Sequence, residues 1–416
     1  MTVLPHDNSA AAIPPQRVAV AWQEKEIFDR IRRQGEATKA ELVNRLPYSR
    51  TKINQCIADL LEKGLVKTAG AGDYTGGRRA VTYSVNGSAA LVAGVDIGAT
   101  SVDLALADLA GKIYARLGEP ADVRDGPRLL LGRVGELLEQ MLAGGGLARQ
   151  RLLSIGVGVP GPVDFKLGKL VSPPIMPGWD GFPIIATLQE RFPTAHVAVD
   201  NDVNIMALGE KVGGAARHVD NLIFVKIGTG IGAGILCNGE IYRGSNGCAG
   251  DIGHICVNKE GPICRCGNIG CLEAMAAGPA IAAAAQKAAL EGKSPILLRH
   301  YEANGGFLRP EDVGYSAGEG DPVSIDIIRN SGHLVGDVLA SLVNFYNPGM
   351  IVIGGGVSKI GNLLLSSIRQ VVLHRSLPLA TRDMRIIFSQ LGDEAGVTGA
   401  MALAVENLFV VQGYSE

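Results

Sequence analysis

The sequence predicts an α/β protein in two parts: a small winged helix-turn-helix head and a much larger body of buried strands and helices. Three observations predict it. Residues 21–86 read as three short amphipathic helices and two β-type runs. From residue 91 onward, apolar runs alternate with glycine turns, as in LVAGVDIGATSVDLALADL, NLIFVKIGTGIGAGILCN and IVIGGGVSK. Between these lies a glycine- and proline-rich segment, HICVNKEGPICRCGNIGC, in which one imidazole and three thiols can converge. The chain has 416 residues, 47% of them hydrophobic, which is enough for two to four domains.

Composition removes several classes. A net charge of −2 does not suit a chain that binds polyanions over its whole surface, so any nucleic-acid role must sit in one segment. The seven cysteines are odd in number and lack the spacing of a secreted disulfide framework. No charged start precedes an apolar core, and no apolar run reaches membrane-spanning length. The expectation is a soluble, cytoplasmic protein with no membrane partner.

Residues 1–20 are rich in Pro, Ser and Ala without periodicity and read as a flexible tail. Ile27, Phe28 and Ile31 give a first helix one apolar face. Thr38 and Glu41 form a capping-box start for a second helix, with Leu42, Val43 and Leu46 inward and Pro47 at its end. Ser49 can cap a third, whose Ile53, Ile57, Leu60 and Leu61 share a face, and Gly64 stops it. β-type runs at 65–68 and 81–85 flank a glycine-rich link carrying Arg78 and Arg79. The start of the third helix turns Ser49, Arg50, Thr51, Lys52, Asn54 and Gln55 outward, chemistry that suits the phosphates and base edges of double-stranded DNA. Residues 21–85 hold 12 Lys/Arg and 8 Asp/Glu, net +4 within a chain of net −2. Helix-turn-helix shapes also serve as plain packing modules, so this segment alone leaves both readings open.

In the body, residues 91–115 read as strand, glycine turn, strand, turn and strand; 128–147 read as a helix; 152–161 read as a buried strand. HVAVDNDVNIMALGE, residues 196–210, is a strand running into a helix, with Asn201 and Asp202 at the junction. A carboxylate there can accept a ligand O–H, or simply cap the helix. His254, Cys264, Cys266 and Cys271 can close a tetrahedral shell around Zn²⁺, leaving no position for a reactive water, so the metal reads as structural. The stretches at 278–298 and 324–344 are helix-rich, and Ala-rich helices with a broad apolar face suit subunit packing.

The pattern His254, Cys264, Cys266, Gly267, Gly270, Cys271 and Glu273 resembles the zinc signature of the ROK family, which holds bacterial sugar kinases and regulators with a DNA-binding domain in front. The resemblance runs from about residue 20 to the C-terminus. It implies a two-lobed actin-like (ribonuclease H-like) body. The first lobe would take 87–200 plus about 388–416, and the second 201–387 with the zinc site and the oligomerisation surface. It implies a sugar or sugar phosphate held between the lobes by Asn201, Asp202, Asp251, His254 and Glu273. In the kinases the residue matching Asp202 is the general base. Asp96, Gly98 and Thr100 resemble the first phosphate loop, where Mg²⁺ and ATP bind in the kinases. Gly228, Thr229 and Gly230 match the second, and Gly354, Gly355 and Gly356 resemble the nucleotide-side loop. The sequence departs from the kinase pattern DIGGTK, with Ala99 for the second Gly and Ser101 for the Lys. A Cβ obstructs backbone approach and a cation beside the phosphates is lost, which weakens the case for ATP. Ile175 stands where the kinases often carry Asn, and Asp251 where Glu is usual.

The expectation is therefore a sugar-responsive, DNA-binding transcriptional regulator, a repressor of carbohydrate-metabolism genes acting as a homodimer or homotetramer. The alternative is an ATP-dependent hexose or N-acetylhexosamine kinase using Asp202 as base and Mg²⁺ to position ATP.

Overall fold

In the computed structural model, residues 17–71 and 80–412 are described, and the chain divides into two units. The first takes Met1–Val159, Gly181–Asp200 and Ala400–Glu416; the second takes Pro160–Asp180 and Asn201–Gly399. The first opens with β1 (Val18–Ala21), α1 (Trp22–Gln34), β2 (Glu36–Thr38), α2 (Lys39–Arg45), α3 (Arg50–Glu62), β3 (Val66–Ala71) and β4 (Val81–Val85). Ile27, Phe28 and Ile31 of α1 are buried, as are Ile53, Cys56, Ile57 and Leu60 of α3, and α1 and α2 both pack on α3. Leu61 is exposed, contrary to expectation; Cys56, one turn earlier, takes the inward place. The capping box forms: Thr38 Oγ1 accepts the Glu41 N–H at 3.2 Å, and the Glu41 carboxylate accepts the Thr38 N–H at 2.7 Å. Ser49 Oγ accepts the Lys52 N–H at 3.2 Å at the start of α3. The wing has three strands, in the order β2-β4-β3, all antiparallel. Two were expected. The third, β2, is only three residues long and pairs across 40-odd residues of chain, so no local pattern announces it.

The rest of the first unit is built on β5 (Leu91–Ile97), β6 (Ser101–Asp108), β7 (Ile113–Pro120), α4 (Pro127–Gly144) and β8 (Leu152–Val159). A short antiparallel ribbon, β9 (Val163–Asp164) with β10 (Lys169–Leu170), belongs to the second unit. The chain then gives α5 (Ile184–Arg191) and β11 (His196–Asn201). The sheet order is β11-β8-β5-β6-β7. β5 is antiparallel to β6 and parallel to β8, and β6 is antiparallel to β7.

The second unit repeats this plan. Its strands are β12 (Leu222–Ile227), β13 (Ile231–Cys237), β14 (Glu240–Ile241), β15 (Met350–Gly354) and β16 (Arg385–Phe388), in the order β14-β13-β12-β15-β16. Again the central strand, β12, is antiparallel to the strand that follows it and parallel to the fourth. Its helices are α6 (Asp202–Val212), α7 (Leu272–Ala276), α8 (Gly278–Leu290), α9 (Pro295–Ala303), α10 (Pro310–Gly318), α11 (Pro322–Tyr346), α12 (Asn362–Arg375) and α13 (Pro378–Thr381). Ile223, Val225, Ile351 and Ile353 of the sheet form one core with Val335, Leu339 and Val343 of α11 and Leu364 and Ile368 of α12. The unit boundary falls inside α14 (Ala395–Asn407), after its first turn.

Two outcomes differ from the expected boundaries. Residues 388–399 and the β9–β10 ribbon cluster with the second unit. Buried Glu210 explains the first, because its carboxylate accepts the Leu391 N–H at 3.0 Å and the Ser389 hydroxyl at 2.6 Å. A Cβ on Gly247 would lie 2.2 Å from the Val163 carbonyl, so the ribbon lies directly against that loop. Residues 18–20, expected in a tail, form β1, which pairs in parallel with β17 (Phe409–Gln412). The Phe28 and Phe409 rings meet edge to face with centroids 5.0 Å apart, so the C-terminal strand also packs on the head. A strand whose partner lies at the other end of the chain leaves no local signal.

Candidate metal centre and carboxylate site

The His/Cys segment folds on itself through two isolated β-bridges, Cys256 with Cys271 and Ile263 with Ile269. The Cys264 N–H donates to the Asn268 carbonyl at 2.7 Å, and the Gly267 N–H returns to the Cys264 carbonyl at 2.9 Å. Gly270, at φ +67°, is required: a Cβ there would sit 1.5 Å from the Asn258 carbonyl oxygen. The ligand atoms of His254, Cys264, Cys266 and Cys271 all lie within 4.8 Å of one another. Cys264 Sγ is 3.6 Å from His254 Nδ1, and Cys266 Sγ is 3.7 Å from Cys271 Sγ. A tetrahedron with metal–ligand bonds of about 2.0–2.3 Å has edges of roughly 3.3–3.8 Å, and these two distances match it. Cys271 is fully buried and its thiol is pushed up to about 12, first by burial and then by the neighbouring sulfurs. Cys266, whose thiol is favoured as thiolate first by the Asn268 backbone N–H, is pulled down. Sulfurs this close hold their protons in opposition, and a divalent cation removes the conflict. The cluster can hold a metal ion.

The carboxylates gather around the β12–β13 hairpin. Asp202 is the first residue of α6, 4% exposed, and its Oδ2 accepts from Lys226 Nζ at 2.5 Å. α6 lies close on β13, because Gly232 and Gly234 leave room; a Cβ on Gly234 would be 2.5 Å from the Val203 carbonyl. Asn201 works as the helix cap: its Oδ1 accepts the Val203 N–H at 2.9 Å, while its Nδ2 donates to the Gly161 carbonyl at 2.9 Å. At the far end of the hairpin turn, Glu273 Oε2 accepts the Ile231 N–H at 3.1 Å. A Cβ on Gly230 would meet that same oxygen at 2.4 Å. Glu273 follows the ligand Cys271 by two residues, so the metal segment fixes it in place. His254 joins the two features. Its Nδ1 faces Cys264, and its Nε2 lies 3.8 Å from the half-exposed carboxylate of Asp251. Oriented carboxylates and an imidazole N–H of this kind hold adjacent ring hydroxyls.

Of the residues assigned to phosphate loops, Thr229 is exposed on the β12–β13 turn, with Gly228 and Gly230 beside it. The Gly228 carbonyl accepts from Gly278 N–H at 2.8 Å, which ties the turn to the start of α8. Gly355, at φ +86°, abuts the end of β12, where a Cβ would lie 2.5 Å from the Ile227 carbonyl; Gly354 is buried and Gly356 exposed. Asp96 lies near the end of β5, opposite Asp103 of β6, and Gly98 and Thr100 lie on the β5–β6 turn of the first unit. In the head, Arg50, Thr51, Lys52, Asn54 and Gln55 are all exposed on the first turns of α3, and Gln55 donates to Asp59 at 2.8 Å. Arg78 and Arg79 lie outside the described residues. The sequence reading missed Lys226. Its signal was there: a cation in an otherwise apolar strand, LIFVKI, directly before a glycine turn.

A head of three helices and a three-stranded wing thus precedes, in the chain, an α/β body whose sheet plan is used twice and which carries a His/Cys cluster beside a group of carboxylates. The chain belongs to the ROK family, whose model matches residues 92–407. It is 37% identical over 307 residues to a glucokinase of Halalkalibacterium halodurans, covering 74% of this chain and 92% of that protein. It is 30% identical over 380 residues to a putative xylose repressor of a Caldicellulosiruptor species, covering 91% of this chain and 94% of that one. Among solved structures, a ROK family transcriptional regulator described as a homologue of the E. coli Mlc protein superposes with a TM-score of 0.78 at 26% identity, covering 93% of this chain and 96% of its own.

Proposed function

We propose that the protein is a sugar-responsive transcriptional regulator that represses carbohydrate-metabolism genes by binding operator DNA as a dimer. One observation carries this reading. The repressor match takes in 91% of the chain and so reaches into the head, whereas the family model begins at residue 92, behind it. The exposed Arg50, Thr51, Lys52, Asn54 and Gln55 supply the DNA contacts, with Arg78 and Arg79 as candidates in the wing. The metal is Zn²⁺, because three thiolates and one imidazole at tetrahedral spacing prefer it; bound, it cross-links the loop that carries His254 and Glu273. Asp202, Asp251, His254 and Glu273 hold the hydroxyls of the sugar ring, with Asn201 capping the helix beneath them. To act as an inducer, the sugar must favour one DNA-binding state by about 1–3 kcal/mol.

The test is binding of the full chain to DNA from its own promoter region, titrated with a sugar panel and with salt. Tight, sequence-specific binding released by one sugar is expected, and Lys52→Ala should weaken it and flatten the salt dependence by roughly one unit of slope. Weak, salt-sensitive binding indifferent to every sugar would overturn the reading. Asp202 and the glucokinase relative favour a second reading, an ATP-dependent sugar kinase with Asp202 as base. Ala99 and Ser101 weigh against it. Turnover in a coupled assay with ATP, lost in Asp202→Asn, would reverse the order.

A further inference from the structure

We infer that Lys226 is committed to Asp202 and not to the ligand, which makes this a site for an uncharged sugar and closes it to the phosphorylated form. The inference rests on the sugar-binding reading above and narrows it. Lys226 Nζ lies 2.5 Å from Asp202 Oδ2, with the lysine side chain 26% exposed and the aspartate side chain 6%. The lysine comes from β12, two residues before Gly228, so its side chain lies beside the turn where a phosphate group would be sought first. For Lys226 to serve such a group it must release Asp202. That would leave a carboxylate at 4% exposure without its counter-charge, a costly arrangement. Beside the held Lys226, the site presents two acidic groups among the described residues: Glu273 at one end of the turn and Asp251 beside His254. Two further carboxylates repel a phosphate dianion, whereas each can accept hydrogen bonds from ring hydroxyls.

The experiment is calorimetric titration of the full chain with aldopentoses, aldohexoses and N-acetylhexosamines, each paired with its phosphate ester. Binding of one free sugar is expected, with its ester weaker by roughly tenfold or more. Equal or tighter binding of the ester overturns the inference but leaves the sugar-binding reading standing. Silence from both sugars and esters overturns the sugar-binding reading itself. A second arm addresses the lysine. Lys226→Met should weaken free-sugar binding roughly tenfold, because it strands Asp202; adding Asp202→Asn to it should recover part of that loss, since the pair is then neutral on both sides. Strictly additive losses would reduce Lys226 to packing. Loss of ester binding with free-sugar binding intact would make it a phosphate ligand. Either result overturns the inference. Thermal melts of each variant separate these outcomes from unfolding.

Discussion

The β5–β6 turn and the β12–β13 turn occupy the same position in two sheets of the same strand order, and they have been kept to different standards. At the first, Gly98 N–H bonds to the Ser101 carbonyl at 2.8 Å, and the carbonyls of Ala99 and Thr100 accept from Val123 and Ala121. Those bonds run within the turn and to the segment that follows β7. At the second, Gly228 N–H bonds to the Gly230 carbonyl at 2.9 Å, but the turn is also held from outside, by Glu273 at Ile231 and by Gly278 at Gly228. The second turn is thus built into the metal segment, and the first is a hairpin end. The Ala99 and Ser101 departures from the kinase pattern fall in the first of these turns. A Cβ at Gly230, in contrast, would disturb a carboxylate and through it the helix that begins at Cys271.

The strongest way to break this contrast is to remove what backs the second turn. Cys264→Ser, or chelation of the metal, should lower the melting temperature on the order of 10 °C and abolish sugar binding, because Glu273 and His254 lose their fixed positions together. Metal content and a calorimetric melt check it. An unchanged melting temperature with no metal bound would show that the second turn needs no such support.

Gly230→Ala is the next step down. A methyl 2.4 Å from Glu273 Oε2 forces the carboxylate off the Ile231 N–H. Sugar affinity should fall roughly tenfold or more, while the fold survives with a loss of about 1–2 kcal/mol from the displaced hydrogen bond. Titration and denaturant unfolding of the same variant separate the two effects.

Where the sequence spoke, it spoke through local spacing. The capping box of Thr38 and Glu41, the cap at Ser49, the strand-to-helix junction at Asn201 and the four metal ligands all depend on residues within a few turns of one another. The β1–β17 pair depends on strands nearly 400 residues apart, and its first strand was read as tail. The Lys226–Asp202 pair lies between these cases. Both residues stood out, one as a junction carboxylate and one as a cation in an apolar strand, but only packing of α6 on the β12–β13 hairpin brings them together. The small third strand of the wing was missed for the same reason, since pairing and not composition makes three residues a strand. The glycines that let α6 approach β13, Gly232 and Gly234, were visible as a phosphate-loop motif; their packing role emerges only with the helix in place.

The smallest expected effect is the sharpest test of the contrast. A Cβ on Gly98 would lie 3.3 Å from the Ser101 hydroxyl, whose side chain can rotate away, and Gly98 is not among the glycines held at positive φ. Gly98→Ala should therefore change stability by less than about 1 kcal/mol and sugar affinity by less than roughly threefold. The same residue type, mutated the same way at the corresponding turn of the second unit, is predicted to weaken sugar binding roughly tenfold or more. Measured side by side under one buffer, the two variants weigh a turn braced by Glu273 against a turn that closes a hairpin. Comparable losses in both would mean that the β5–β6 turn is still part of a working ligand site. The substitutions at Ala99 and Ser101 would then be adjustments to its ligand and not signs of its retirement, which would restore ATP as a candidate ligand and with it the kinase reading.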